Sequence, residues 1–449
     1  MSSEPGSAGH DDARVAGWGG VSVPGREVRS EDLERLTRDA VLTRGLARSY
    51  GDSSLPPPSH PVVAGSVLAD RLLSFDAETG RLRAEAGYSL HDLYRTFLPR
   101  GWFTPVSPGT QFVTLGGMVA ADVHGKNHHV KGSIGGHVRE LKIRVGTGDV
   151  VTCSRESWPD LFRATIGGMG LTGHILEVEL TLERIPTPWI VGIKRRISGI
   201  DEFLAELKND AAEWPFTMGW IDCLSRGRHM GRGVLMAGRW ATPAEAPKRF
   251  PRHLPRITVP FQCPEWVMGH TMGRLFNAVY YRAHGRHVRP SVLHPEPFFY
   301  PLDVLRQWNR LYGTRGFTQH QCVLPDTAGS GAVRGLVELL TRQGGASFLC
   351  VIKDCGPEGE GLLSFPRRGT SIALDMPIRE NTQAMVDALN EFVVNVGGRV
   401  YLAKDAFTRA DHYRRMEPRL AEFEAIRRRW DPDRRLKSAQ SVRLLGDQP

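Results

Sequence analysis

Apolar and polar positions change rhythm near residue 186, the first sign of two domains in the chain. Before that point short strand-like runs alternate with short helical ones. Residues 62–67 and 81–86 read as strands around a turn at 78–80. Ser89 is placed to cap a helix through Phe97, with Leu90, Leu93 and Phe97 on one face. Residues 140–145 and 150–153 form a hairpin-like pair about 147–149, 158–165 reads as a helix after the cap Ser157, and 175–182 alternates as a half-buried strand. The polar stretch 27–43 has helical spacing at Leu33, Leu36 and Val41, 56–58 is a rigid Pro loop, and residues 1–20 read as disordered. Pro186 and Pro188 then break the pattern and mark a domain boundary.

Beyond the boundary, strand-like runs at 217–222, 318–324, 347–352 and 371–376 alternate with helical runs at 200–208, 332–343 and 381–396. That order predicts an antiparallel-rich α+β domain. The segment 261–300 mixes aromatic and basic residues, among them Trp266, Phe276, Tyr280, Tyr281 and Arg282, and reads either as ordinary core with a loop or as a lid that meets a lipid surface.

A length of 449 residues favours two domains, and 41% hydrophobic residues supply a sizeable core. The six cysteines form no C-x-x-C pair and read as reduced. The polar N-terminus shows no signal-peptide core and no run of 18 apolar residues occurs, so the expected location is cytoplasmic or peripheral to a membrane. The net charge of +9 suits anionic partners, but no nucleic-acid-binding motif accompanies it, so nucleic acid is not expected. The C-terminal arginines (Arg414, Arg415, Arg427–Arg429, Arg434 and Arg435) read as a solvated helix face.

Candidate chemistry is concentrated in two glycine-containing stretches, TRGLARSYGD at 43–52 and GGMVAADVHGKNHH at 116–129. Glycines beside basic, hydroxyl and aromatic residues let backbone N–H groups approach a pyrophosphate, so the two together predict a two-part anion-binding surface. The G-x-G-x-x-G match at 168–173 lacks a preceding strand and a following acid, so it reads as a tight helix-to-strand turn and not as a nicotinamide site. His124 and His128 have i, i+4 spacing, but Gly125 and Asn127 argue against a helix there, and no metal site is expected. His124 and Lys126 instead read as facing an anion or a substrate hydroxyl. Gln319 and Gln321, two apart on a strand, share a face that is either a polar pocket wall or surface. YLAKD at 401–405 reads as the continuation of a strand after a Gly397–Gly398 turn.

Jointly, RSYGD, HGKNHH, PGT at 108–110, GLTG at 170–173, WNRLYG at 308–313, LSFP at 363–366 and YLAKD resemble FAD-dependent oxidoreductases of the vanillyl-alcohol oxidase superfamily, and within it the oxidases of polyprenylphosphoryl ribose. The resemblance spans about 17–444. It implies a two-domain α+β flavoprotein with an FAD-binding domain over 1–187, an antiparallel-sheet substrate domain over 188–398 and a segment over 399–449 that returns to the FAD domain. It implies FAD contacts from Arg44, Gly45, Leu46, Ala47, Arg48, Ser49, Tyr50, Gly51, Asp52, Gly109, Thr114, Gly116, Gly117, Ala121, Asp122, Val123, His124, Gly125, Ile175 and Tyr401. Some superfamily members tether the flavin through a histidine where this chain has Arg48, so non-covalent FAD is expected.

The same resemblance places Tyr50, His124, Lys126, Trp220, Gln319, Gln321, Lys353, Ala373 and Lys404 on the substrate side. The implied reaction oxidises a secondary sugar hydroxyl to a ketone, at C2 of a polyprenylphosphoryl ribose, with a short-chain reductase completing an epimerisation. In that scheme Lys404 stabilises developing negative charge, Gln319 and Gln321 fix ring hydroxyls, His124 is an acid/base or a phosphate contact, and Lys126 with Lys353 holds a phosphate. One departure stands out. Ala373 occupies the position of a cysteine in typical ribose oxidases, and Ser371 that of an asparagine, which keeps a soluble nucleoside, aminoglycoside or alditol in view as substrate.

Overall fold

The computed structural model describes residues 13–343 and 348–449. The N-terminal part contains a parallel three-stranded sheet, in the order Arg26–Arg29, Val62–Gly65, Thr43–Arg44. Beside it is an antiparallel five-stranded sheet in the order Val150–Ser154, Val138–Arg144, His174–Thr181, Arg81–Glu85, Leu72–Phe75. Alternation sends Leu82, Ala84, Leu141, Ile143, Val178 and Leu180 to one face, where they pack with Leu90, Leu93 and Phe97 of the helix Leu90–Phe97 and with Met118 and Val119 of the helix Leu115–Ala120. Full burial of each large apolar side chain contributes about 1.5–3 kcal/mol. As expected, Ser89 caps its helix, accepting from the Asp92 N–H at 3.0 Å.

An eight-stranded, wholly antiparallel sheet carries the second half. Its order is Ser291–Leu293, Ile190–Ile197, Gly233–Trp240, Phe216–Ile221, Cys350–Cys355, Gly369–Pro377, Phe317–Pro325, Arg399–Val400. Ile221, Leu235, Cys322, Leu324, Ile352, Ile372 and Leu374 point to one face, under the helices Ile200–Glu213, Gly329–Arg342 and Thr382–Asn395. The register pairs Gln319 with Asp375, Gln321 with Ala373 and Lys353 with Ser371, so these side chains occupy the opposite face.

Several expectations require correction. Residues 13–20 are ordered: Arg14–Ala16 pairs with Ser22–Pro24, and Trp18 lies under Arg48. Residues 1–12, and Ser347 of the expected strand 347–352, lie outside the described residues. The stretch 27–43 holds a strand and only a four-residue helix, Leu33–Leu36, because Val28 pairs with Ala64 in the parallel sheet. The helix Pro159–Thr165 is preceded by Trp158 in a left-handed conformation (φ 53°) and not capped by Ser157. The strand after Gly398 ends at Val400, and 402–404 form a turn. Arg427 is not on a solvated face; it is fully buried, with Nη1 3.0 Å from Asp447 Oδ1. Among the described residues no helix is long and apolar enough to cross a membrane.

Candidate active site

The two glycine-containing stretches meet. A Cβ on Gly45 would fall on the Thr114 hydroxyl, which caps the helix Leu115–Ala120 by accepting from the Gly117 N–H at 3.2 Å. A Cβ on Gly116 would lie 2.8 Å from Ala86 Cβ, so only glycine lets this helix seat on the strand below it. Ala47 has φ 54°, and among the described residues the N–H groups of Gly45–Ser49 make no hydrogen bond. Such a run of free amides is a nest for an anion. Several buried donors of the same N-terminal part also lack hydrogen-bond partners among the described residues: Ser53 and Ser54 Oγ, Gln111 Nε2 and Nη1 of Arg44. Unpaired buried donors are costly in isolation and are satisfied by a bound anionic group. This donor set fits the diphosphate of FAD.

Not every residue on the cofactor side offers its side chain. Arg44 is bonded to Ala16 O at 2.9 Å and lies 3.4 Å from Glu27, Asp52 is held by Arg443 through two 2.8 Å bonds, and Asp122 accepts from Ser133, Gly135 and Ser364. These three are left with backbone contacts or with a supporting role. Arg48 stacks 3.8 Å over Trp18 and donates to Phe112 O, so no nucleophile stands at that position. Gly109 borders open space, and a Cβ on Gly125 would lie 2.7 Å from Ser107 O, which explains that glycine by close packing. Tyr401 donates to Ala121 O at 2.9 Å, and Val123 and Ile175 are buried.

On the polar face of the large sheet, Gln319 Nε2 donates to Asp375, and the Tyr312 hydroxyl donates to the other carboxylate oxygen at 3.2 Å. A carboxylate only accepts, so the amide nitrogen of Gln319 is committed and its Oε1 is free for a ligand. Gln321 Nε2 lies 2.9 Å from His124 Nε2 and 3.4 Å from Ser371 Oγ. Both glutamines are buried, so the face they share is not surface. Lys404 Nζ sits 3.5 Å above the Tyr50 ring, which packs against Phe317 at 5.0 Å. Trp220 donates from Nε1 to Phe348 O, and Ala373 is buried beside Gln321. His124 and Lys126 come together with these groups as expected. His128 begins the helix His128–Lys131, and its ring centroid lies 6.3 Å from that of His124.

The electrostatics are lopsided. Lys126, Lys353 and Lys404 make no ion pair with a carboxylate among the described residues. Burial, with Lys353 close by, pushes Lys126 down to about 7; burial brings Lys404 to about 7 against the opposing pull of Asp375 and with a smaller push from Lys353; burial lowers Lys353 as well. Burial and then the neighbouring lysines hold His124 well below the ordinary histidine range, and burial takes His128 down to about 3. That direction favours the neutral imidazole of His124. Asp375 is raised to about 6 by burial, against the opposing pull of Gln319, Lys404 and Tyr312. Asp375 carries no expected role from the sequence. The signal was present, since Ser371, Ala373 and Asp375 alternate with Ile372, Leu374 and Met376 as the glutamines do in their own strand.

Residues 35–154 match the FAD binding domain family. The chain is 33% identical over 454 residues to the decaprenylphosphoryl-β-D-ribose oxidase of Mycolicibacterium smegmatis, covering 96% of this chain and 97% of that protein. It is 32% identical over 370 residues to an uncharacterized protein in the mprA 5' region of Streptomyces coelicolor, covering 79% of this chain and 99% of that one. A putative D-arabinono-1,4-lactone oxidase of Neurospora crassa is 28% identical over 178 residues, 38% of this chain and 31% of that protein. With the glycine-lined anion cradle and a buried polar sheet face in one molecule, the chain belongs to the FAD-linked oxidase family of decaprenylphosphoryl-β-D-ribose oxidase and is an FAD-dependent oxidoreductase.

Proposed function

We propose that this enzyme oxidises the C2 hydroxyl of a polyprenylphosphoryl ribose to a ketone, the first half of a 2-epimerisation that a short-chain reductase completes. The observation that carries the reading is a cluster of three lysines, Lys126 buried and Lys353 and Lys404 half-buried, with no ion-paired carboxylate among the described residues. Cations withdrawn from water with too little counter-charge are unfavourable, Asp375 only partly offsets Lys404, and a phosphorylated substrate supplies further negative charge. FAD would be held without a covalent bond by the 43–53 loop, by the 114–125 segment and by Tyr401, between segments 1–187 and 399–449.

Bound FAD supplies the two-electron acceptor for the hydride that leaves the carbinol carbon. The protein orients and polarises. Gln319 Oε1, fixed by Asp375, accepts from a ring hydroxyl. Lys404, in its cationic form, stabilises negative charge on the carbinol oxygen as the hydroxyl proton passes to solvent water. Lys126, which already donates to Phe299 O at 3.0 Å, and Lys353 hold the phosphate as point charges. The neutral N–H at His124 Nδ1 adds a hydrogen bond without charge.

Ala373 and Ser371 favour a second reading, oxidation of a soluble nucleoside, aminoglycoside or alditol, because they remove a thiol and reduce volume on the substrate wall. Product trapping decides between the two. After turnover with farnesylphosphoryl ribose, borodeuteride reduction should place deuterium at C2. Deuterium elsewhere, or turnover only with soluble sugars, refutes the lipid-linked reading.

A further inference from the structure

The helix His270–Arg282 is amphipathic in the wrong direction for a water-soluble surface. Met272, Leu275, Phe276 and Val279 follow i, i+3, i+4, i+7 spacing and form one apolar stripe, yet they are 37%, 58%, 45% and 61% exposed. Its inward side is small and polar: Gly273 packs near Leu224, and Asn277 donates to Asp222 at 2.8 Å. Trp266 and Phe261 extend the apolar surface and are 67% and 65% exposed. Arg274, Arg282 and Arg289 are exposed around it, Arg286 lies 3.6 Å from Glu202, Glu265 beside Trp266 is paired with Arg315 at 3.1 Å, and 266–293 contains no Asp or Glu. One turn of the same helix reaches the candidate site, because Tyr280 packs on Trp220 with ring centroids 4.8 Å apart.

We infer that this helix docks on an anionic phospholipid bilayer and that its inner face roofs the substrate pocket. An apolar stripe with aromatic flanks and a cationic border has the composition of an interfacial helix. Charge decides against a second copy of the chain as occupant, since isologous pairing would bring the same arginines face to face. The contact with Trp220 gives the placement a purpose under the lipid-linked reading above, on which that part of the inference rests. A substrate whose tail stays in the bilayer would enter from the membrane side.

The test is co-sedimentation of the FAD-loaded protein with vesicles of equal parts phosphatidylglycerol and phosphatidylcholine, against vesicles of phosphatidylcholine alone. Binding is expected only to the first. The double variant Leu275→Asp/Val279→Asp should weaken it about tenfold or more, and Arg274→Gln about fivefold. FAD absorbance and turnover of a soluble substrate analogue should be unchanged in both variants, which shows that they fold. Equal binding to both vesicles, no binding to either, or an unaffected double variant overturns the inference. So does a concentration-dependent dimer abolished by the double variant, which would give this face to a second copy. The vesicles contain no substrate, so failure here leaves the proposed oxidation standing, and inactivity on phosphoribosyl lipids with intact vesicle binding counts against that oxidation alone.

Discussion

Replacing Lys404 with Met removes one charge at nearly constant length and tests the reaction scheme where it is most specific. Lys404 Nζ is supported on the Tyr50 ring at 3.5 Å, and no carboxylate lies within ion-pair distance among the described residues. Asp375 acts on it through space but forms no direct ion pair with it, so its charge is only partly offset and is available to the substrate oxygen. At about 4 Å and an effective dielectric constant near 20, a unit charge stabilises an oxyanion by about 4 kcal/mol. That predicts a loss of roughly 10²–10³ in the rate of hydride removal. The assay is anaerobic stopped-flow bleaching of the bound flavin, with FAD content measured on the same sample. Retained FAD with bleaching within about threefold of wild type would refute the role given to Lys404, since a full charge that close to the oxyanion leaves no room for so small an effect.

The same lysine sets a pH limb. With Lys404 lowered to about 7 and active as the cation, kcat/KM should fall above about pH 7, and Lys404→Arg should move that fall to the alkaline side. A limb unmoved in the arginine variant would assign it to another group. Gly116→Ala places a methyl group 2.8 Å from Ala86 Cβ and should lower FAD retention and cost about 1–3 kcal/mol, with Ala86→Gly restoring part of both; thermal melts with and without added FAD check it. Asp52→Ala removes both 2.8 Å bonds to Arg443, and because Arg443 keeps Asp405 and is partly exposed, the expected loss is about 2–3 kcal/mol together with faster FAD release; denaturant melts and FAD dissociation rates measure it.

Much of this architecture was legible because periodicity and local chemistry agreed. Ser89 and the face Leu90, Leu93 and Phe97 gave their helix, and the paired glutamines gave a shared polar face, since a polar side chain every second residue in an apolar strand fixes a face. The strands Ile190–Ile197 and Gly233–Trp240 were not legible. One ends in Lys194, Arg195, Arg196 and the other contains glycine, so neither run carries a period, and only pairing along eight registered residues makes them strands. Arg427 was misread because a charged side chain looks solvated until a partner distant in sequence, here Asp447, is seen beside it, and the Asp52 side chain is likewise engaged by the distant Arg443. The 401–405 turn follows from tertiary contact too, because Tyr50 N–H bonds Ala403 O and a regular strand would not bring Lys404 onto the Tyr50 ring.

The central claim, that an FAD enzyme here takes hydride from a phosphorylated sugar, is tested most directly by the visible spectrum of the purified protein under anaerobic conditions. A flavin spectrum that bleaches on addition of farnesylphosphoryl ribose, and stays unchanged with the same lipid phosphate lacking the sugar, is the predicted result. A flavin that remains oxidised with that substrate, or protein that stays colourless after incubation with FAD, would contradict the account.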